Sequence, residues 1–232
     1  MLISLKKKLV FLSNPKCGST SFERAVSTYC EIALTSTARR KHVTCHQFRT
    51  HWQPFLSSEF CINDLFVLCT TREPISKIIS WYKYRSRQQL IGNSRWLGKV
   101  PFRQFCSAEM NKQYDSFFFK SDKLLADIVI PIDHASYLET FLGNEFNIGT
   151  FSKHNTSKKV SDHSLASKMK YSDYLEIASE ELKRARKPFI ESIERHNQIS
   201  SFYKDKHCTF DLREGAIDFK NFLSKKEPFR NI

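Results

Sequence analysis

Residues 14–23 read NPKCGSTSFE, with a lysine, a glycine and three hydroxyl side chains gathered between positions 16 and 21. Such a set suits an anion. Gly18 lets the backbone come close to a bound group, Ser19, Thr20 and Ser21 supply hydroxyl donors, and Lys16 adds a mobile point charge. Where such a stretch opens a helix, the free N–H groups and the positive end of the helix dipole favour phosphate or sulfate at the same spot. The order of residues is not that of a Walker A loop, GxxxxGK[ST], because the lysine precedes the only glycine. A purely structural use of the same residues is a helix cap, with Ser19 or Thr20 and Glu23 forming a capping box.

A second stretch, TTREPISKIISWYKY at 70–84, sets Arg72 ahead of Pro74 and spaces Ser76 and Ser80 four apart. An arginine fork and a serine hydroxyl near a helix start can grip a second, separate phosphate. The alternative is a surface arginine and exposed helix serines. A third stretch, RRKHVTCHQFRTHW at 39–52, carries His42, His46 and His51. Histidine is the natural proton acceptor near neutral pH, so these three are the candidate bases, His42 first, His46 second and His51 third. Glu73 is a carboxylate alternative.

These groups need elements to hold them. The apolar run LVFLS at 9–13, stopped by Asn14-Pro15, predicts a buried parallel strand. Phe22, Ala25, Val26, Tyr29, Cys30 and Ala33 fall on one helical face, so the cradle-like loop lies between a strand and a helix. LFVLC at 65–69 predicts a second strand with Thr70, Thr71 and Arg72 at its carboxyl end, and Pro74 opens a helix with Ile75, Ile78, Ile79 and Tyr82 on its apolar stripe. IVIPI at 128–132 reads as a third strand followed by a helix over 135–142, and 173–186 and 189–204 read as helices broken or kinked near Pro188. The expected fold class is α/β, a P-loop-like three-layer fold with a central parallel sheet flanked by helices. Ligands of such sheets bind outside the carboxyl ends of the strands. With no linker, repeat or boundary in the sequence, residues 1–232 are expected to form a single domain.

Taken together, PKxGSTS after a first strand and RxPxxKxxSxY after a later one resemble the two donor-binding segments of sulfotransferases that use 3′-phosphoadenosine 5′-phosphosulfate (PAPS). The likeness is closest to the carbohydrate-type group with its bacterial members. The resemblance implies that Lys16, Cys17, Gly18, Ser19, Thr20 and Ser21 hold the 5′-phosphosulfate, and that Arg72 and Ser80 hold the 3′-phosphate. It further implies that Lys16 stabilises the leaving group and that an acceptor hydroxyl, on a glycan, receives the sulfuryl group. Lys41-His42-Val43-Thr44 resembles a Lys-His-x-Thr segment of bacterial members, which favours His42 as the base. HNTSKK at 154–159 and YKD at 203–205 are similar in order to later segments of the group, so His154, Lys158 and Lys159 are candidate nucleotide contacts. Cys17 departs from the small or hydroxyl residue common there, and the mid-chain histidine segment has no clear copy around 115–120. Magnesium is not implied, since no acidic cluster stands beside the first loop.

Composition bounds the alternatives. The chain has 37 Lys+Arg against 24 Asp+Glu, a formal charge of +13 that favours an anionic substrate, cofactor or surface. Basic residues are scattered in short runs, which argues against nucleic acid as a partner, although a basic nucleic-acid-binding module and a P-loop nucleotide kinase or hydrolase remain rival readings. Cysteines at 17, 30, 45, 61, 69, 106 and 208 show no CxxC spacing, so free thiols are expected rather than a disulfide framework or a zinc site. The run at 9–12 is too short for a signal peptide or a span. The expected location is therefore the cytoplasm, or the Golgi lumen if the chain is trimmed from a longer protein.

Overall fold

Three apolar runs of the sequence become neighbouring parallel strands, and their carboxyl ends carry the first candidate loop and Arg72. The computed structural model describes residues 1–121, 123–148, 160–204, 206 and 211–225. In chain order, β1 (Leu2–Ser4), β2 (Leu9–Leu12), α1 (Ser19–Val26), β3 (Ile32–Ala33), α2 (Ala38–Lys41), α3 (Cys45–Gln47) and α4 (Gln53–Phe60) lead to β4 (Phe66–Thr71). α5 (Pro74–Arg85), α6 (Phe102–Glu109), β5 (Phe119–Lys120), β6 (Lys123–Leu124) and β7 (Ile128–Pro131) come next. α7 (Ala135–Phe146), α8 (Tyr171–Leu182), α9 (Lys187–Tyr203) and α10 (Gly215–Ser224) complete the described elements. Two compact units form, one from Met1–Arg72, Asp115–Asn155 and Glu194–Ile232, the other from Glu73–Tyr114 and Thr156–Ile193.

The first unit is an α/β body around a mixed sheet of order β3-β1-β2-β4-β7. β2, β4 and β7 are parallel, with Leu12 opposite Cys69 and Thr70 opposite Ile130. All four residues of β2 and all four of β7 are buried, as their unbroken apolar runs predict for strands covered on both faces. The expectation of a wholly parallel sheet is corrected on its other side, where β1 runs antiparallel to both β2 and β3. The cause is local: the Leu5 carbonyl accepts from the Lys8 N–H in a tight turn with Lys8 at φ 48, and so short a link can join only antiparallel neighbours. α7 and α10 pack against β7.

The second unit is helical. Tyr82 of α5 meets Phe102 of α6 at 5.2 Å and Tyr174 of α8 at 6.0 Å between ring centroids, mostly edge to face, and its hydroxyl donates to the Val100 carbonyl. Arg103 ties α6 to α8 through Glu180 and Glu181.

Several helix boundaries differ from the sequence expectation. α1 ends at Val26, and Ala33, expected on that helical face, instead pairs with β1 together with Ile32. Ser27-Thr28-Tyr29 are modest helix formers, and the exposed edge of β1 offers the chain backbone partners. The two late helices are broken just before Pro188, one of the two expected outcomes: α8 ends at Leu182 and α9 begins at Lys187, with Pro188 in its first turn.

At the amino ends of the parallel strands, Asp127 accepts from the Val67 N–H at 2.8 Å, Arg49 at 3.0 Å and Lys220 at 2.8 Å. One carboxylate thus joins β4, the segment before β7, the stretch after α3, and α10. Replacing Asp127 with alanine strands two cations and a backbone donor, so we expect a stability loss of about 2–4 kcal/mol in denaturant titration. An Asp127→Ala variant as stable as the parent would show that the carboxylate does not bind these elements together.

Candidate functional site at the carboxyl ends of β2 and β4

The first loop is laced to the neighbouring strand. Ser13 and Asn14 leave β2 fully buried, and the parallel register brings Thr70 alongside. Asn14 Nδ2 donates to the Thr70 carbonyl at 3.0 Å, and the Thr70 hydroxyl donates to the Cys17 carbonyl at 2.8 Å. The turn itself is tight, with the Cys17 N–H reaching the Asn14 carbonyl and the buried Cys17 thiol reaching the Pro15 carbonyl at 3.4 Å. The Cys17 sulfur therefore belongs to the loop's interior.

The backbone through the loop is unusual. Lys16 has φ 64 and Gly18 has φ 74, both left-handed, while Cys17 between them is not. Alternation of this kind turns successive N–H groups toward one side and makes a concavity suited to an anion. A lysine in the left-handed region costs about 1–2 kcal/mol, strain of a kind that gathers at ligand sites. Glycine also avoids a clash, because a Cβ there would lie 2.3 Å from Ile132 Cδ1, just past the end of β7, and that side chain would have to move. Three strand ends thus shape one loop.

Gly18, which has no side chain to offer, is also the N-cap of α1, and among the described residues no side-chain cap bond is formed there. The capping box of Ser19 or Thr20 with Glu23 is not formed. Glu23 is buried and instead pairs with Lys41 at 2.5 Å, while Lys41 Nζ donates to the Thr20 hydroxyl at 3.5 Å. Ser19 is buried; Lys16, Thr20 and Ser21 are half-buried.

The stretch 38–60 is not one continuous helix, so His42 and His46 do not share a helical face. His42 lies between α2 and α3, and a new helix starts at Thr44, which forms a capping box with Gln47. His42 Nδ1 lies 2.6 Å from the Ser13 carbonyl. A carbonyl only accepts, so Nδ1 carries the proton and Nε2 keeps the lone pair. Burial lowers the His42 pKa below the usual imidazole value; the Ser13 bond raises it, Lys41 lowers it and Glu23 raises it in smaller measure. His46 is differently engaged, with Lys120 Nζ 2.6 Å from its Nε2 and the Thr50 hydroxyl 3.4 Å from its Nδ1. His51 is exposed. His134 stacks on Tyr203 and lies 3.2 Å from the Ser200 hydroxyl, and His196 is buried.

In the second segment, Arg72 follows β4 and is half-buried. Glu73 caps α5 with both oxygens, accepting from Ile75 N at 2.8 Å and Ser76 N at 2.6 Å. That carboxylate is thereby committed to the helix start. Ser80 lies on α5, half-buried, in the second unit. His154, Lys158 and Lys159 lie outside the described residues, as do Asp205 and His207. Tyr203 is part of the core, where its hydroxyl donates to the Val129 carbonyl at 3.0 Å.

Asn14, Thr70 and the Glu23–Lys41 pair were not singled out from the sequence. Polar residues directly at strand ends, Asn14 before a proline and Thr70 before a second threonine, are the available signal for the first two. The Thr44-x-x-Gln47 spacing is a readable helix start. Nothing in residue spacing links Glu23 to Lys41.

The described residues thus define an α/β protein with a mixed sheet whose strand-to-helix loop ends in a helix start that no side chain caps. Comparison of the chain with known protein families, with curated proteins and with solved structures finds no match. Among the described residues, no group of three or more His, Cys, Asp or Glu could hold a metal ion, and no helix is long and apolar enough to cross a membrane.

Two outcomes follow from this geometry. Gly18→Ala meets both a left-handed φ and the Ile132 side chain, so it lowers the melting temperature; adding Ile132→Ala recovers only the steric part, and full recovery in the double variant would refute the backbone component. His42 favours its neutral form when folded, so its contribution to stability is present above the unfolded pKa of about 6.5 and is lost as pH falls through the lower folded pKa. NMR titration should give a His42 midpoint below that value, and His42→Gln should flatten the acid-side loss; a midpoint at or above the unfolded value would contradict the geometry.

Proposed function

We propose that the protein is a sulfotransferase that moves a sulfuryl group from PAPS to an acceptor hydroxyl, with a carbohydrate as the acceptor class. The single observation that carries this reading is the left-handed Lys16–Gly18 turn at the carboxyl end of β2, leading into an α1 start without a side-chain cap. Its fit to an anion is physical: strain at a lysine, a left-handed glycine, and hydroxyl residues on the first turn. The assignment to PAPS in particular rests on the likeness of the two segments PKCGSTS and REPISKIISWY to the donor-binding segments of that family.

The donor supplies the sulfuryl group and the nucleotide phosphate that leaves. The chain's work is then positioning, charge stabilisation and proton removal. The first turn of α1 and its hydroxyls orient the 5′ end of the donor. Lys16 offsets negative charge that grows on the leaving phosphate. Arg72 and Ser80 are read, from the second segment, as contacts to the 3′-phosphate. His42 is the base: its Nδ1 proton is fixed on the Ser13 carbonyl, its lowered pKa keeps Nε2 unprotonated at neutral pH, and Nε2 takes the acceptor's proton. Lys41 supports this arrangement by neutralising the buried Glu23 beside the loop.

Calorimetric titration with 3′-phosphoadenosine 5′-phosphate, against ATP with magnesium and adenosine 5′-phosphate, tests the donor assignment. Binding selective for the 3′-phosphorylated nucleotide and weakened at least tenfold in Arg72→Ala is expected. No binding, or a preference for ATP with magnesium, would replace this reading with a kinase-like one. In an acceptor assay, Lys16→Ala should lower turnover by about 10²–10³-fold, the scale of losing one charge-stabilising donor, with the melting temperature retained.

A further inference from the structure

The chain leaves α5 and then returns to it. Leu97 donates its N–H to the Arg85 carbonyl at 3.1 Å, so the ends of the stretch 86–96 meet, and turns inside it carry the Leu90 N–H to the Arg87 carbonyl and the Asn93 N–H to the Leu90 carbonyl. Compact surface loops with joined ends are frequently functional. Counted equally from the joined ends, Arg87 and Arg95 stand at the same level on the two legs, and Ile91 falls at the apex, where Gly92 at φ 86 turns the chain. Ile91 is 48% exposed, and Arg95 and Lys99 are exposed. A single exposed isoleucine is ordinary on a surface, but this one is the tip of a loop with a cation on each leg.

The cations around the apex have no counter-charge. Between Glu73 and Glu109 the sequence holds seven Lys and Arg and no Asp or Glu. Arg85 lies over the Trp81 ring at 5.0 Å and Arg87 over the Tyr84 ring at 4.9 Å, which fixes each guanidinium plane and leaves its N–H groups pointing away from the ring. Among the described residues, no carboxylate lies within ion-pair distance of Arg85, Arg87, Arg95 or Lys99; Glu109 is bonded to Lys112 and Tyr114 instead. Residues 149–159, which lie outside the described set and precede Val160, the bridge partner of Arg87, contain three lysines and no carboxylate. Arginines at the carboxyl end of α5 also complement the helix dipole, but that role does not reach Arg95, Lys99 or Ile91.

An apolar apex with cations on its shoulders fits a bilayer surface with anionic headgroups: the tip enters the boundary between headgroups and acyl chains while the cations stay with the phosphates. A single-stranded nucleic acid fits less well, because it stacks bases on open aromatic faces, and Trp81 and Tyr84 each have a face taken by an arginine and meet each other edge to face at 5.9 Å. An anionic saccharide would use the arginines and leave Ile91 with nothing to meet. We propose that the loop 86–96 docks the protein onto an anionic lipid surface, with Ile91 inserted and Arg87, Arg95 and Lys99 at the headgroups. The loop belongs to the second unit, and its docking is independent of the donor assignment.

Co-sedimentation of the full chain with vesicles tests this, using phosphatidylcholine alone and a three-to-one mixture of phosphatidylcholine and phosphatidylserine. Binding to the mixed vesicles, absent with phosphatidylcholine alone and weakened by added sodium chloride, is expected. Arg87→Gln with Arg95→Gln should weaken it by about tenfold, and Ile91→Asn by about threefold or more, with the melting temperature of each variant retained. Should the change at Arg87 disturb Tyr84 and lower the melting temperature, Arg95→Gln alone, at an exposed position, should still weaken binding by about threefold. No binding, equal binding to the two vesicles, or binding that the arginine substitutions leave unchanged would overturn the proposal. Loss with the arginines but not with Ile91→Asn is the pattern of a plain polyanion surface, and it too would overturn docking through the apex.

Discussion

The hydrogen bond from the Thr70 hydroxyl to the Cys17 carbonyl is the constraint on which the candidate site depends. It joins the loop after β2 to the end of β4 in a place with no access to water, so either group left alone would cost about 1–3 kcal/mol. Asn14 makes the reciprocal link to the Thr70 carbonyl. Both bonds exist only because β2 and β4 are parallel and in a register that ends them together. A shift of one residue would turn Thr70 to the other face of the sheet and release the loop. The left-handed turn, the position of Gly18 against Ile132 and the entry into α1 are downstream of that register.

Charge is arranged around this frame in a graded way. Glu23 and Lys41 neutralise each other beside α1, with one Glu23 oxygen buried and without a partner, so the local field near the helix start is not simply positive. His42 is held by a carbonyl rather than a carboxylate, which orients the ring without adding a negative charge that would keep it protonated. Farther along the same segment, the His46–Lys120 contact has no such counterweight among the described residues. Among the described residues, the charge beside the helix is thus paired, whereas the lysine beside His46 meets a neutral ring.

What could be read in the sequence follows from how each feature is encoded. β2, β4 and β7 are buried on both sides, and continuous apolar runs announce such strands directly. β1 and β3 are two or three residues long and owe their existence to pairing, which leaves no periodic trace. α1 has its buried face in Phe22 and Val26, but the periodicity carried on through Tyr29, which is exposed and touches Phe146. The helix ends because the chain finds β1, a long-range event. The cradle's residue types were legible as a group; the reason Thr20 is held, through Lys41 and Glu23, was not, since those residues are 21 and 18 positions apart and meet only in the fold. A far longer separation, 74 positions, hid Lys120 as the partner of His46.

The left-handed conformation of Lys16 narrows what evolution can place there. Glycine would relieve the backbone and forfeit the cation; arginine would keep a charge but bring a broad planar group in place of a compact ammonium; asparagine would tolerate the geometry and carry no charge at all. Each single exchange satisfies one demand by abandoning another. Position 16 is thus a point where charge and backbone geometry pull against each other, and a chain with no use for a cation there would be free to change it first.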